Sequence, residues 1–242
     1  MKILHVTDFH FNKASFRWLK KHASKYDACC LTGDLLDIAM GEAPKGVSML
    51  AQAKWVLGWL KKYAGPPLFI CSGNHDGFFE SHLGVVSPLA RLGFFKAAAV
   101  ANPSVLVDGT DRVLSGYRFI CAGWNAIPPF IESKEPVVLL THAGPDGTRV
   151  AGRIATGRHG LDVADLVEGL PPGSLVLSGH EHHPRAWRTT AATSACFNPG
   201  SGVGAAPPSP NRIIIEPERN FVTFETDASS DRCWMRLTPK HN

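Results

Sequence analysis

Several common sequence features are absent from this chain of 242 residues. No stretch approaches the roughly 20 consecutive apolar residues of a membrane-spanning helix, so we expect no membrane partner. The six cysteines include no Cys-x-x-Cys pair, which argues against a zinc ribbon and against a thioredoxin-like redox motif. We therefore expect buried free thiols and a reducing, cytoplasmic location. The formal net charge of +4 is small, so the composition gives no argument for a nucleic-acid partner.

Sequence elements that separate domains are also absent, since the chain shows no linker, internal repeat or low-complexity tract. The proline-rich stretch at 205–210 is too short to divide two domains. Hydrophobic residues make up 44% of the composition, and a chain of 242 residues can fold as one α/β domain with a sizeable core. We expect a single domain over residues 1–242.

Five short apolar runs each stop at a turn signal, which predicts five buried strands. The runs are Ile3–Val6, 28–31, Leu68–Cys71, Val137–Leu140 and Leu175–Leu177. Residues that bind hard or borderline metal ions follow each run closely. They are Asp8 and His10, Asp34, Asn74 with His75 and Asp76, His142, and His180 with His182. Because ligands collect at the carboxyl ends of strands in α/β sheets, these five endings predict one shared metal site.

The remaining pattern predicts the layers around these strands. Apolar residues at helical spacing predict helices over 16–26, 47–63 and 161–170. Further strands are predicted over 104–107, 113–114, 117–122, 212–216 and 221–225, with hairpin turns at Ser115-Gly116 and 217–220. These strands indicate a second, more antiparallel sheet stacked on the first. We predict an α/β fold, a four-layer α/β/β/α sandwich with two stacked mixed β-sheets and the metal site at the carboxyl ends of the strands.

The order of the motifs, Asp-x-His, Gly-Asp, Gly-Asn-His-Asp, His and Gly-His-x-His, resembles that of the calcineurin-like metallophosphoesterases from Lys2 to about Gly202. The segments 141–148, 157–160, 179–182 and 198–201 resemble the small Icc-type branch, which is related to cyclic-nucleotide phosphodiesterases. The resemblance implies the same sandwich and a hydrolase acting on phosphate esters. It implies one divalent ion held by Asp8, His10, Asp34 and His182, and a second held by Asp34, Asn74, His142 and His180.

The chemistry of these ligands limits which metal ions suit the site. A mixture of carboxylate, amide and imidazole suits Mn, Fe, Zn or Ni better than an all-oxygen magnesium site, and it leaves the identity of the metal open. Two ions about 3.5–4 Å apart can activate a water and neutralise phosphoryl oxygens. The expected reaction is attack of a metal-bound hydroxide on a small phosphate ester, with a phosphodiester favoured by the branch. A cleavable signal peptide is not expected, because its removal would take Asp8 with it.

By the same resemblance, His75 protonates the leaving oxygen or stabilises the phosphorane, a role that an imidazole can fill near neutral pH. A carboxylate should orient its ring. Asp37 is the first candidate, because 33–37 resembles the Gly-Asp-x-x-Asp of the related protein phosphatases, and Asp76 is the alternative.

Substrate contacts are predicted at Asn74 and His75 and in the basic, glycine-rich segment after His142. Arg149 and His159 are the candidates within that segment, because guanidinium and imidazole groups suit phosphate. The roles of Arg153 and Arg158 stay open, and a purely structural loop is the alternative. Trp124 could line the cleft or pack in the core.

Other functions on the same site remain as alternatives. A phosphomonoesterase would use the same ligands. Protein phosphatases of the superfamily carry Arg-Gly where this chain has Ile38-Ala39, which weakens that assignment. The superfamily nucleases add a capping domain, for which little chain remains after Ser201. A non-catalytic metal-binding interaction scaffold would be expected to lose ligands, whereas all are present here. No motif reports the oligomeric state.

Overall fold

The computed structural model describes residues 1–38, 46–76, 94–124, 131–145, 149–150, 153–154, 160–161, 169–182, 185–188, 194–201, 209–225 and 232–236. Over these ranges the chain forms two stacked mixed β-sheets with helices, the predicted α/β sandwich. The α-helices described are α1 (Lys13–His22), α2 (Met49–Lys61) and α3 (Phe94–Ala101). The strands described are β1 (Ile3–Val6), β2 (Ala28–Thr32), β3 (Leu68–Cys71), β4 (Val105–Leu106), β5 (Asp111–Leu114), β6 (Tyr117–Cys121), β7 (Val137–Leu140), β8 (Gly144–Pro145), β9 (Arg149–Val150), β10 (Arg153–Ile154), β11 (Gly160–Leu161), β12 (Leu175–Leu177), β13 (Arg185–Arg188), β14 (Ala195–Asn198), β15 (Arg212–Glu216), β16 (Phe221–Glu225) and β17 (Arg232–Arg236).

The first sheet has seven strands in the order β17-β16-β15-β1-β2-β3-β4. Its strands β1 to β4 are parallel, and β15 pairs antiparallel with β1. The second sheet has six strands in the order β13-β14-β12-β7-β6-β5, and its four central strands are parallel. Two short ladders, β8 with β11 and β9 with β10, lie in the segment after β7. All five strands predicted to carry ligands are present, three in the first sheet and two in the second.

The prediction that the other strands build a second, more antiparallel sheet is wrong for three of them. Strands β4, β15 and β16 belong to the first sheet. The reason is that periodicity identifies a strand but not its partner. The pairing of β1 with β15 places Ile3 opposite Ile215, residues that are far apart in the sequence. The parallel strands β7 and β12 form the centre of the second sheet instead.

Capping side chains explain where the first two helices begin. The Asn12 side chain accepts hydrogen bonds at 3.0 and 3.3 Å from backbone N–H groups of the first turn, so α1 starts at Lys13 rather than at residue 16. The Ser48 hydroxyl accepts a similar bond at 3.2 Å, and α2 lies within the predicted 47–63. The third predicted helix is wrong at its start, because Leu161 belongs to β11; residues 162–168 lie outside the described ones.

Both predicted hairpin turns are present and use left-handed backbone conformations. Ser115 and Gly116 have φ values of 50° and 78°, and Asn220 has a φ of 51° after a short 3-10 helix at Pro217–Arg219. Helix α3 was not predicted. None of the helices that the structure describes has the length and apolar character that crossing a bilayer requires.

Strand β1 separates two hydrophobic cores, because successive side chains of a strand point to opposite faces. Leu4 and Val6 pack in the core beneath the helices. Ile3 packs in the core between the two sheets, and the fully buried His5 alternates onto the same face. The outer face of the second sheet carries a third cluster that includes Leu170. The described cysteine side chains are buried and free, as predicted: Cys29, Cys30, Cys71, Cys121 and Cys196.

Candidate metal centre

The loops that follow β1, β2, β3, β7 and β12 meet at one edge of the sandwich. Three groups of acidic and imidazole side chains in the described part of the chain have their ligand atoms within 4.8 Å of one another. The groups are Asp8 with His10 and His182, His10 with Asp34 and His75, and Asp8 with Asp34 and His142. Shared members join the three groups into one continuous cluster.

Sharp turns of the backbone bring these side chains back over the strand ends. Asp8, His10, Asp34 and His180 adopt left-handed conformations with φ values of 51°, 41°, 51° and 68°. Such conformations cost on the order of 1–3 kcal/mol for a non-glycine residue and cluster at functional sites. Hydrogen bonds between the first two loops offset this cost. Asp8 N–H donates to Gly33 O at 3.2 Å, and His10 N–H donates to Asp34 O at 2.8 Å.

Three glycines allow the ligand loops to approach one another closely. A Cβ atom at Gly33 would collide with the His142 ring, and one at Gly73 would collide with the Asp34 carboxylate. A Cβ at Gly179 would collide with the Thr7 hydroxyl and lie 2.7 Å from an Asp8 oxygen. The glycines in the Gly-Asp, Gly-Asn-His-Asp and Gly-His-x-His motifs are therefore required by contacts between loops.

The second half of the cluster is built around His142, which is completely buried. Its Nδ1 lies 2.7 Å from the Thr32 carbonyl oxygen, so Nδ1 carries a proton and donates it. Its other nitrogen, Nε2, lies 3.0 Å from Asn74 Oδ1 and 3.3 Å from Asp34 Oδ2. His180 Nδ1 also lies 3.0 Å from Asn74 Oδ1. A proton on the imidazole satisfies such a contact in the protein without metal, and a divalent ion can take the place of that proton, so these side chains fit a metal ion.

The first half of the cluster shows the same arrangement. His10 Nε2 and His182 Nε2 lie 3.1 Å apart. Asp8 Oδ1 lies 3.8 Å from the first of these nitrogens and 3.6 Å from the second. The Asp8 carboxylate is held in place by the Thr7 hydroxyl, which donates to Oδ2 at 2.6 Å. Two imidazole nitrogens and one carboxylate directed at a common point also fit a metal ion.

Asp34 lies between the two halves. Its Oδ2 is 3.3 Å from His142 Nε2 and 3.9 Å from His10 Nε2, while its Oδ1 accepts the His75 N–H at 2.9 Å. Burial by itself raises the pKa of Asp34, but the neighbouring imidazoles, His142 first, outweigh burial and hold that pKa well below its usual range. Burial likewise opposes protonation of His142, yet the Asp34 charge raises its pKa to about 10. Asp34 therefore stays ionised and stabilises a positive charge beside it, on His142 or on a metal ion.

His75 contacts this cluster from the side. Its Nε2 lies 3.8 Å from Asp34 Oδ2, and its Nδ1 accepts the Ile38 N–H at 3.1 Å. In the neutral ring the proton is therefore on Nε2, the nitrogen that faces the cluster. Ile38 follows Asp37, whose side chain is buried and whose backbone bonds to Gln52. The role of Asp37 in orienting His75 stays a prediction.

Asp76, the alternative partner of His75, has a different set of contacts. Its carboxylate accepts the N–H groups of Leu35 and Leu36, both at 3.1 Å, and of Gly73 at 3.0 Å. Burial raises the pKa of this carboxyl to about 8, with the Asp34 charge adding to the effect. Asp76 thereby joins the loop after Asp34 to the loop that carries Asn74 and His75.

Trp124 lies beside the second half of the cluster. Its ring centroid is 5.6 Å from that of His142 and 5.4 Å from that of His180. Its backbone N–H donates to Ser72 Oγ at 3.0 Å, which fixes the segment at the end of β3. The residue is only partly buried, and its place in a wall of the cleft stays a prediction.

The predicted substrate loop is described only in part. The backbone of Arg149 lies in β9, opposite Ile154 of β10, and Arg153 begins β10. The side chains of both arginines lie outside the described part, as do Arg158 and His159 entirely. Their contacts with substrate stay predictions.

Sequence reasoning did not single out the residues that support the ligands. The Thr32 carbonyl orients His142, and the Asn198 amide contacts the loop that carries His180. In the sequence, Asn198 is part of a motif that gives it no role, and every residue has a backbone carbonyl group whatever its identity. These supports depend on which backbone atoms come close in space.

The sequence matches the family model described as calcineurin-like phosphoesterase over residues 1–184. The match covers most of the chain, so the protein belongs to this family. Comparison with curated proteins gives no match. Membership implies dependence on divalent metal and action on small phosphate esters, and the clusters described above provide candidate ligands.

Solved structures show the same fold at low sequence identity. The chain is similar to the protein TT1561 of Thermus thermophilus, with a TM-score of 0.55, 15% identity and 98% of each chain covered. It is similar to Yfce, a phosphoesterase from E. coli, with a TM-score of 0.51, 17% identity, and coverage of 98% of this chain and 100% of that one. An archaeal phosphodiesterase gives a TM-score of 0.50 and 15% identity over 98% and 99% of the two chains.

Proposed function

We propose that this protein is a two-metal phosphoesterase that hydrolyses small phosphodiesters. The observation that carries the proposal is the orientation of the His142 ring. Its Nδ1 donates to the Thr32 carbonyl oxygen, so its other nitrogen faces the oxygens of Asn74 and Asp34. A divalent ion can replace the proton on that nitrogen, because metal binding displaces protons from its ligands. The pair of imidazoles at His10 and His182 supports a second ion beside the first.

In this proposal the two ions share Asp34. The proposed ligands of one ion are Asp8, His10, Asp34 and His182, and those of the other are Asp34, Asn74, His142 and His180. When bound, two divalent ions lower the pKa of a water and neutralise phosphoryl charge. The ligand mixture suits Mn, Fe, Zn or Ni, and we propose manganese as the ion for reconstitution.

His75 is the proposed proton donor to the leaving oxygen. Its Nδ1 accepts the Ile38 N–H, so its proton is on Nε2, directed toward Asp34. A neutral imidazole held in this way can donate its Nε2 proton to an oxygen in the cleft. Asp37 is the proposed supporting carboxylate, since the N–H that reaches the ring belongs to the next residue. Asn74, His75, Arg149 and His159 are the proposed substrate contacts.

A diester substrate is proposed from the Icc-type motifs, with a cyclic nucleotide as the first candidate. Hydrolysis of monoesters on the same site is the alternative. The proposed cytoplasmic location rests on the described cysteines, which are free and buried. A single domain over 1–242 is supported by the pairing of β15 with β1, which joins residues beyond 184 to the first ligand strand.

The proposal is tested with metal-free protein reconstituted with Mn²⁺, Fe²⁺, Zn²⁺ or Ni²⁺. Bound metal is counted by elemental analysis, and hydrolysis is measured on monoesters and diesters that include cyclic nucleotides. We expect two ions per chain and faster turnover of diesters. Monoester preference would correct the substrate class, and absence of hydrolysis with two ions bound would favour the scaffold.

The Asp34→Asn variant tests whether Asp34 is a ligand that both ions share. It should lose most bound metal and most activity together, because both ions depend on that carboxylate. Asp111→Asn is the matched control, since Asp111 forms an exposed ion pair with Arg118 elsewhere in the second sheet. Two ions and near-normal turnover in Asp34→Asn would contradict the bridging role.

A further inference from the structure

Asn198, the last residue of β14, makes three hydrogen bonds through one buried side-chain amide. Its side chain belongs to a residue with only 1% of its surface exposed. Its Nδ2 donates to the Gly179 carbonyl oxygen at 2.7 Å and to the Glu181 carbonyl oxygen at 3.0 Å. Its Oδ1 accepts the Gly200 N–H at 2.8 Å. Both amide hydrogens are thus used on carbonyl groups of the loop after β12.

The two carbonyl groups belong to residues on either side of His180. Glu181 also immediately precedes His182, so the amide fixes the backbone next to both imidazoles. The loop is tight here, because Glu181 N–H donates to Gly179 O at 2.8 Å and His180 has a φ of 68°. Without a donor from Asn198, two closely spaced carbonyl oxygens would be left buried without that partner.

The same loop is braced from the ligand side. Gly179 N–H donates to the His142 carbonyl oxygen at 2.8 Å. His180 N–H donates to the Asp8 carboxylate at 3.1 and 3.2 Å. A displacement of the loop would therefore be transmitted to ligands of both proposed ions, since Asp8 belongs to one and His142 to the other.

We propose that Asn198 is a positioning residue for both metal ions, which sets the separation of His180 and His182 through a single amide. The inference rests on the proposed function, in which these two imidazoles bind different ions. One side chain would thus couple the two ions although it touches neither. Groups that orient metal ligands typically change metal affinity by about 10–100-fold when they are substituted.

Asn198→Asp is the direct test, because it keeps the size of the side chain and removes both donors. The carboxylate would face the carbonyl oxygens of Gly179 and Glu181, so the loop must move away from it. Asn198→Ser removes the same donors without adding a charge, and it serves if Asn198→Asp does not fold.

Asn102 offers a matched control, because its side-chain amide also makes two hydrogen bonds to carbonyl oxygens and accepts one from a backbone N–H. Its Nδ2 donates to the carbonyl oxygens of Leu60 at 2.9 Å and Tyr63 at 2.8 Å, and its Oδ1 accepts the Ser104 N–H at 3.1 Å. This residue is also buried, at 8% exposure, but it joins α2 to the segment after α3 and none of these contacts involves a ligand. Asn102→Asp removes a comparable set of buried hydrogen bonds at a place that has no contact with the metal ligands.

The experiment compares these variants with the wild-type protein by urea unfolding without metal and by calorimetric titration with Mn²⁺. We expect the substitutions at Asn198 and at Asn102 to lower the stability of the metal-free protein. Only the Asn198 variants should weaken Mn²⁺ binding, by about 10–100-fold at both sites. Wild-type affinity in Asn198→Asp and Asn198→Ser would overturn the inference, and so would a loss confined to one ion. Failure of the wild-type protein to bind two Mn²⁺ ions would refute the proposed function instead.

Discussion

At the scale of single residues, the two ring nitrogens of His75 have different neighbours. Their contacts suit a proton donor, so its role in catalysis can be tested apart from metal binding. Nδ1 accepts the Ile38 N–H, and Nε2 faces Asp34. A residue that only donates a proton should be dispensable for binding the ions. A proton donor should also matter most when the leaving oxygen is strongly basic.

We therefore expect His75→Ala to retain both ions and to lose roughly 10²–10⁴ in turnover, the usual contribution of a positioned acid or base. The loss should shrink for esters with good leaving groups such as nitrophenolate, which need less protonation. Metal content and turnover on paired good and poor leaving groups measure this. An equal loss on both kinds of ester would mean that His75 only shapes the site.

Single residues also show how far the sequence could predict the site. Asp34 and His142 were predictable because each follows a strand, and strand ends in an α/β fold converge. The supporting roles of Thr32 and Asn198 were not, because they act on backbone atoms whose proximity exists only after folding. The contacts of Asp76 differ for the same reason, since its partners are backbone N–H groups of its own loop and of the loop after β2.

At the scale of elements, the loop after β12 is held at a distance that only glycine permits. A Cβ at Gly179 would collide with the Thr7 hydroxyl and lie 2.7 Å from both an Asp8 oxygen and the Thr32 carbonyl oxygen. Gly179→Ala should therefore displace the loop, weaken metal binding and cost about 1–3 kcal/mol, as for other overpacked positions.

Gly58→Ala is the control for this substitution. Gly58 lies within α2, and a Cβ there would meet nothing within 4 Å. Alanine in a helix interior should stabilise the protein by about 0.5–1 kcal/mol and leave metal affinity unchanged. Urea unfolding and Mn²⁺ titration of both variants provide the measurement. Normal metal affinity in Gly179→Ala would show that the loop can adjust.

The segment after β7 carries the predicted substrate contacts. It leaves the sheet directly after His142, so its first residues border the cleft. Alanine at Arg149, Arg158 or His159 should alter discrimination between esters and leave the metal content unchanged, because none is a proposed ligand. Specificity constants on a substrate panel measure this. Wild-type constants in all three variants would mean that this segment is purely structural.

For strands, the sequence pattern predicts the bounds but not the sheet to which a strand belongs. Strands β15 and β16 were predicted with the correct bounds, together with the turn between them at 217–220. Their sheet was not, because β15 pairs with β1 through contacts that no local pattern encodes. The predicted start of α1 at residue 16 is late because apolar spacing marks the packed face of a helix, whereas the Asn12 cap sets its first residue.

At the scale of the whole molecule, the interface between the sheets contains a titratable group. His5 is fully buried there, and its Nε2 lies 2.9 Å from the Thr32 hydroxyl. Burial lowers the pKa of His5 from 6.5 to about 3, against the opposing effect of the Asp8 charge. Because the folded pKa lies below the unfolded one, the unfolded chain binds the proton first, and stability falls as the pH decreases from 6.5 toward 3.

We expect His5→Gln to reduce this acid sensitivity. Between about pH 7 and about pH 4.5, the wild-type protein should lose about 2–3 kcal/mol more unfolding free energy than the variant, at about 1.4 kcal/mol per pKa unit. Urea unfolding of the two metal-free proteins at both pH values measures the difference. Parallel losses in the two proteins would mean that His5 is not the group that titrates.

The antiparallel pairing of β1 with β15 has a consequence for biosynthesis. Ile3 and Ile215 lie opposite each other, so about 200 residues must be translated between the two strands. Contacts of such separation are slow to form, because closing a long loop costs entropy before the contacts repay it. One edge of β1 therefore stays open on the ribosome, and an open edge is a template for aggregation. Strand β1, which leads to Asp8, gains its second neighbour only when β15 has been synthesised. We therefore expect chaperones to bind nascent chains that stall before β15.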